Sequence, residues 1–182
     1  MTTFKDFLNK WNNRYVEVVD PNALFQCFDL ALQWCIELDI PKTIFPFYNA
    51  YQIYTSFGTA QAQYFIRYPN SAANSPKEGD IVVFANNYNF AGGHVGIASG
   101  KGSATGSYND WFELLSQNDP FRSPSHLSPY KYNYVVGWLT PKNYNIIPVL
   151  TWEQKGRKTI DIINGGGSDT DKVQAVRKVY GV

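Results

Sequence analysis

A chain of 182 residues with 44% hydrophobic side chains has the size of one ordinary domain plus a tail, and can bury a core without disulfide staples. Its net charge of +1 gives no basic field for nucleic acid and no acidic tail, which removes nucleic-acid binding from the candidate roles. No stretch approaches the roughly 20 apolar residues of a membrane span, so membrane insertion is not expected.

Residues 3–15 place Phe4, Phe7, Leu8 and Trp11 at helical spacing. This opening stretch carries charges throughout and has no apolar h-region, so a secretory signal is not expected. YVEVV (15–19) reads as extended and DPN (20–22) as a turn. QCFDLALQWCIELD (26–39) is the strongest helix, apolar all round except for a stripe of Asp29, Gln33 and Glu37. Pro41 ends it. FYNAYQIYTSF (47–57) suits a second helix, stopped by Gly58. Short β runs follow at 79–84, 94–99, 111–118 and 134–140, with a Ser/Gly-rich hairpin at 100–107. Helices first and strands afterwards imply an α+β domain with an antiparallel sheet.

The remainder changes character. NIIPVLTW (145–152) reads as a strand or connector, GGGSDTD (165–171) as a flexible linker, and KVQAVRKVY (172–180) as a short helix. The expected division is a domain over 1–142 and, over 143–182, a connector, a linker and the edge of a second module. Aromatics reach 16%, with 13 Tyr and 5 Trp. They fit a β-rich core better than a sugar-stacking surface. The strip FPFYNAYQIY (45–54) suits either a packed helix face or a substrate groove.

The chain has two cysteines, Cys27 and Cys35. Eight residues apart on one helix they are separated by about 12 Å, beyond the reach of a disulfide. With two histidines and no CxxC or HxxxH spacing, they make a poor metal set. Cys35 lies mid-helix on the apolar side and reads as structural. Cys27 lies in the first helical turn. Unpaired N–H groups and the positive end of the helix dipole favour a thiolate there, pulling cysteine into the range ~3.5–7.5, and can also hold an oxyanion. Gln26 adds a side-chain amide beside it.

A thiolate needs a partner, and His94, at the start of a predicted strand after Gly92 and Gly93, is the candidate. His126, in the loop SPSHLSP, reads as having no catalytic role. A third group would fix the His94 tautomer. Glu113, Ser116, Gln117 and Asn118 lie on the next predicted strand, and alternation does not choose between its two faces.

Four blocks carry a family resemblance: QCFDL (26–30), GDIVVF (79–84), GGHVGIASG (92–100), and SQN with YVVGWLTP (116–118 and 134–141). In order and spacing they resemble the CHAP domain (cysteine, histidine-dependent amidohydrolase/peptidase) of phage endolysins, over Phe4 to Lys142. The resemblance implies a papain-like (NlpC/P60-type) α+β fold, with N-terminal helices packed on an antiparallel β-sheet. It implies Cys27 as nucleophile, His94 as general base and Gln26 as oxyanion neighbour. The family's acidic slot reads Ser116 here, so the resemblance points to Asn118 as the orienter of His94, with Ser116 the weaker candidate and Glu113 facing the wrong side. Of the family's calcium positions, one ligand is replaced by Val18, leaving Asp20 and Asp29. The expectation is therefore no cofactor, calcium included.

The resemblance further implies a peptidoglycan hydrolase with bacterial peptidoglycan as its partner, acting as amidase or endopeptidase. It would be held in the host cytoplasm until released, or carried on the virion. The alternatives are a wall-binding CHAP-like module that does not cleave, and a component of the phage tail.

Overall fold

The computed structural model describes residues 2–19, 26–46, 49–87, 90–103 and 110–144. Helix α1 (Phe4–Trp11) starts at Thr3, whose hydroxyl accepts from the Asp6 amide while the Asp6 carboxylate accepts from the Thr3 amide. This reciprocal cap satisfies end groups that a helix cannot pair internally. Phe4 and Phe7, one turn apart, are buried beneath it.

Helix α2 (Cys27–Glu37) is buried on most sides, as its apolar run requires. Trp34 anchors it: the ring is fully buried edge-on against Phe4, Phe7 and Tyr144, and its N–H donates to the Gly79 carbonyl at 3.0 Å. The expected helix over 47–57 is shorter. Helix α3 spans Gln52–Thr55, and Gly58, rather than ending a helix, precedes a further one, α4 (Thr59–Tyr64). Gln61 explains the start of α4: its side chain accepts from the Gly58 amide and donates to the Ile44 carbonyl.

Six antiparallel strands follow: β1 (Phe65–Pro69), β2 (Ile81–Phe84), β3 (His94–Gly102), β4 (Trp111–Ser116), β5 (His126–Lys131) and β6 (Val135–Pro141). Their order is β1-β6-β2-β3-β4-β5. The α+β architecture expected from the sequence is the one observed. Ile81, Val83, Val95, Ile97, Leu115 and Leu139 form one core with the helices. Val82, Phe84, Ala98, Phe112, Leu114 and Trp138 form a second core on the opposite face. Both faces of β2 are thus buried, which is why GDIVVF is continuously apolar instead of alternating.

Two strands escape sequence reading, β1 and β5, and both are edges. β5 contains Pro129, paired with Glu113. An edge strand tolerates a residue with no N–H, whereas in the sequence the same residue signals a loop. Residues 15–19 join no strand. The expected connector, linker and terminal helix over 143–182 lie outside the described residues, apart from Asn143 and Tyr144. Among the described residues no helix is long and apolar enough to cross a membrane.

Candidate active site

Cys27 is the first residue of α2, and Gln26 caps it. The Gln26 amide donates to Asp29 Oδ2 at 2.8 Å, while Asp29 Oδ1 accepts from the Val18 and Val19 amides at 3.2 and 3.1 Å. Asp29 is therefore no member of an exposed polar stripe; it is buried, and it ties the incoming chain to the helix start. Burial raises its carboxyl, against the pull of these three amides. Both of its oxygens face N–H donors, so its environment suits an amide staple rather than a calcium ligand. Asp20, the other calcium candidate, lies outside the described residues. Among the described residues no cluster of three or more His, Cys, Asp or Glu side chains is arranged for a metal.

Gln117 is a second staple. Its carbonyl oxygen accepts from the Val16 amide at 2.7 Å, and its nitrogen donates to the carbonyls of Val16 and Gln26 at 2.9 and 3.0 Å. The side chain is fully buried. Gln117→Ala would leave the Val16 amide and carbonyl unpaired at the base of the Cys27 helix, while the Gln26 carbonyl keeps the Asp29 amide. The expected cost is about 3–4 kcal/mol, read from chemical denaturation with circular dichroism.

Asn118 departs from its expected role. Its side-chain nitrogen donates to Gln26 Oε1 at 3.2 Å and its oxygen accepts from the Arg122 amide at 2.6 Å. The amide braces Gln26 and a turn, and does not orient His94. The physical reason is that β4 ends at Ser116 and Asn118 has φ 64°, so strand alternation no longer governs where its side chain goes. Gln26, expected to serve an oxyanion, is held at its main chain by Asp29 and Gln117 and at its side chain by Asn118.

His94 opens β3 after Gly92 and Gly93, whose φ angles are 81° and 80°. A Cβ on Gly93 would lie 2.7 Å from the Phe84 carbonyl and 2.8 Å from the Tyr51 main chain, so the close approach requires glycine. The Tyr51 amide donates to Gly92 O, and Ala50 and Ile53 are buried. That part of the 45–54 strip packs against the histidine turn as a core face. Phe45 also lines a cavity of about 350 Å³ with Val18, Val19, Phe28, Leu32 and Lys42.

The β3–β4 ladder reaches only to the Gly96–Ser116 pair. One residue outside it, the Val95 amide lies near enough to the Cys27 sulfur to favour its thiolate, which places the cysteine at the start of the histidine strand. The Phe28 amide also favours the thiolate. Burial overrides both, and the Cys27 thiol is pushed up to about 11 rather than drawn down as its helix position alone suggests. Burial likewise lowers His94 to about 4, with Asp119 opposing the shift and His126 reinforcing it. Its Nε2 is buried with no hydrogen-bond partner among the described residues. Cys35 is fully buried and its thiol is raised by burial, consistent with a structural residue.

The His94 ring is stacked on Phe90, with centroids 4.7 Å apart at 15°, and on Tyr130, 5.9 Å apart at 23°. Ser116, in the acidic slot, meets the Tyr130 hydroxyl at 2.8 Å, and that hydroxyl donates to Asp119 Oδ2 at 2.6 Å. Glu113 pairs with Lys101 at 3.3 Å, away from the histidine. His126 Nδ1 donates to the Pro124 carbonyl. Sequence reading missed Asp119 and Tyr130. Asp119 was adjacent to the Gln-Asn pair, but Tyr130 lay just beyond SPSHLSP, the stretch read as loop, and was assigned to no element.

The fold and the site define an α+β protein with a cysteine at a helix N-terminus and a histidine at the start of a strand on which that helix packs. The CHAP domain family model matches residues 18–123, more than half of the chain, and the chain belongs to that family. Its fold is similar to that of the wild-type endolysin LysIME-EF1, with a TM-score of 0.58 and 21% identity over 80% of this chain and 67% of that one. It is also similar to Ly7917, with a TM-score of 0.51 and 20% identity over 78% of this chain and 63% of that one. Ly7917 with the hydrolyzing product of MDP gives a TM-score of 0.52 at 20% identity, covering 76% and 63%. The chain thus spans about two thirds of the length of these structures. No curated protein matches the sequence.

Proposed function

We propose that the protein is a peptidoglycan hydrolase that cleaves an amide bond of the stem peptide or cross-bridge with Cys27 as nucleophile and His94 as base. Membership of the CHAP family and a fold shared with endolysins support the class. The observation that supports the mechanism is the proximity of Cys27 to the amide of Val95, the residue after a His94 whose Nε2 is buried with no hydrogen-bond partner among the described residues.

In this reading both groups rest uncharged. Nε2 of His94 takes the thiol proton as the sulfur attacks the amide carbon. The carbonyl oxygen becomes an oxyanion facing main-chain N–H groups at the start of α2. Collapse breaks the C–N bond, and His94 returns the proton to the leaving amine. Water, deprotonated by His94, then releases the acyl group from sulfur. The same steps serve an amidase and an endopeptidase, which differ only in the leaving amine. The raised thiol favours a second reading, a wall-binding module that does not cleave.

Incubation with purified Gram-positive walls followed by mass spectrometry of the soluble fraction tests both. New amino or carboxyl termini on released muropeptides are expected, and their masses report the bond. Binding to walls with no released fragment would establish the second reading instead.

A further inference from the structure

We propose that Tyr130 and Asp119 together position His94 and support its charged form, replacing the acidic residue that Ser116 displaces. The inference rests on the Cys27–His94 reading and concerns how that pair is held.

The hydrogen bonds have a determined direction. A carboxylate only accepts, so the single Tyr130 proton goes to Asp119 Oδ2 at 2.6 Å. Ser116 must then donate to the Tyr130 oxygen at 2.8 Å. The chain runs from Ser116 through Tyr130 to Asp119, and every donor in it is used. Strand register puts its members beside the histidine. Ser116 pairs with Gly96 and with His126, and Tyr130 pairs with Phe112 on that same face. Phe84, paired with His94, packs against the rings of both His94 and Tyr130.

The imidazole thus packs against two aromatic rings, one of them fixed at its hydroxyl by a carboxylate. When the ring gains a proton from Cys27, the electron-rich face of Tyr130 attracts the cation. The Asp119 charge opposes the burial that otherwise disfavours it. The charged or titratable groups acting on His94 are Asp119 from the segment after β4 and His126 from β5; Tyr130, Phe84 and Phe90 pack against its ring, and Cys27 lies at the start of α2 near Val95. Asp119 is the one negative charge of this set when the thiol is protonated. Tyr130 and Asp119 are positioning residues, because they act through the imidazole.

Tyr130→Phe keeps the stacked ring and removes the phenol proton; Asp119→Asn keeps an acceptor and removes the charge. Each is expected to lower kcat for wall hydrolysis roughly tenfold at unchanged KM, a fraction of the roughly 10²–10⁴ that a positioned base supplies. Asp119→Glu is expected to recover part of the loss. Independently of turnover, NMR titration of the His94 ring in the full chain is expected to move to lower pH in Asp119→Asn. An unmoved His94 titration in Asp119→Asn would overturn the proposal, as would kcat within twofold of wild type in both variants. Wall hydrolysis surviving Cys27→Ala would instead overturn the hydrolytic mechanism, with the His94 titration still deciding whether Asp119 acts on the ring.

Discussion

Cys27→Ala is expected to lower wall hydrolysis by at least ~10⁴-fold, because removal of a covalent nucleophile leaves only binding and oxyanion contacts. The substitution is mild for the fold. The helix start is held by Asp29 and Gln117, neither of which uses the Cys27 side chain. Full-length variant and wild type are expected to give superimposable circular dichroism, so the loss reads as chemistry. Cys35→Ala is the matched control. Its side chain is fully buried in the last turn of α2, where a lost sulfur costs stability but not turnover. Cys27→Ala retaining wild-type release of muropeptides would remove the mechanism proposed above.

The second large effect is the pH dependence of Cys27 alkylation. With its thiol at about 11 and His94 at about 4, both shifted by burial, the resting pair at neutral pH is thiol and imidazole rather than thiolate and imidazolium. Iodoacetamide labelling of Cys27, followed by peptide mass spectrometry, is expected to rise about tenfold per pH unit from pH 7 toward pH 10. At pH 7 it should run roughly 10⁴-fold below its alkaline plateau, since four pH units separate the two. The sign follows from the direction of the shift. A raised thiol keeps its proton in the folded chain after the unfolded chain has lost it, so stability declines as pH climbs above the unfolded cysteine value. Labelling that reaches its plateau by about pH 6 would show a preformed ion pair and contradict the neutral resting state. A neutral His94 retains its accepting lone pair down to about pH 4, which is what a general base needs.

These two groups show where local reasoning stops. Position at a helix N-terminus argues for a lowered cysteine, and the Val95 and Phe28 amides do pull that way. The outcome is set by burial, which depends on how α2 and β3 close around the sulfur and is carried by no residue within the helix. Asp29 is similar. Its place in the polar stripe and its bond to the Gln26 amide are properties of the helix and its cap, but its other two amide partners come from the chain folding back over residues 18 and 19. The third member of the site was unreadable for a different reason. Ser116, Asn118, Asp119 and Tyr130 straddle the end of one strand and an unrecognised edge strand. The left-handed turn at Asn118 takes its side chain out of strand alternation, toward Gln26 and Arg122 rather than into the role the resemblance implies.

The sequence by itself determined the parts that local pattern encodes. Apolar periodicity marked α1 and α2, continuous apolar runs marked the central strands, and paired glycines marked the turn before His94. The spaced blocks around Cys27 and His94 carried the family resemblance. Tertiary structure alone decided the protonation of Cys27 and His94, the reassignment of Asn118 to Gln26 and Arg122, and the chain from Ser116 through Tyr130 to Asp119. The reason is physical: periodicity and turn chemistry act between residues near in sequence. Desolvation and side-chain hydrogen bonding depend on which distant segments meet, and here those segments are the start of α2, the start of β3 and the edge strand β5.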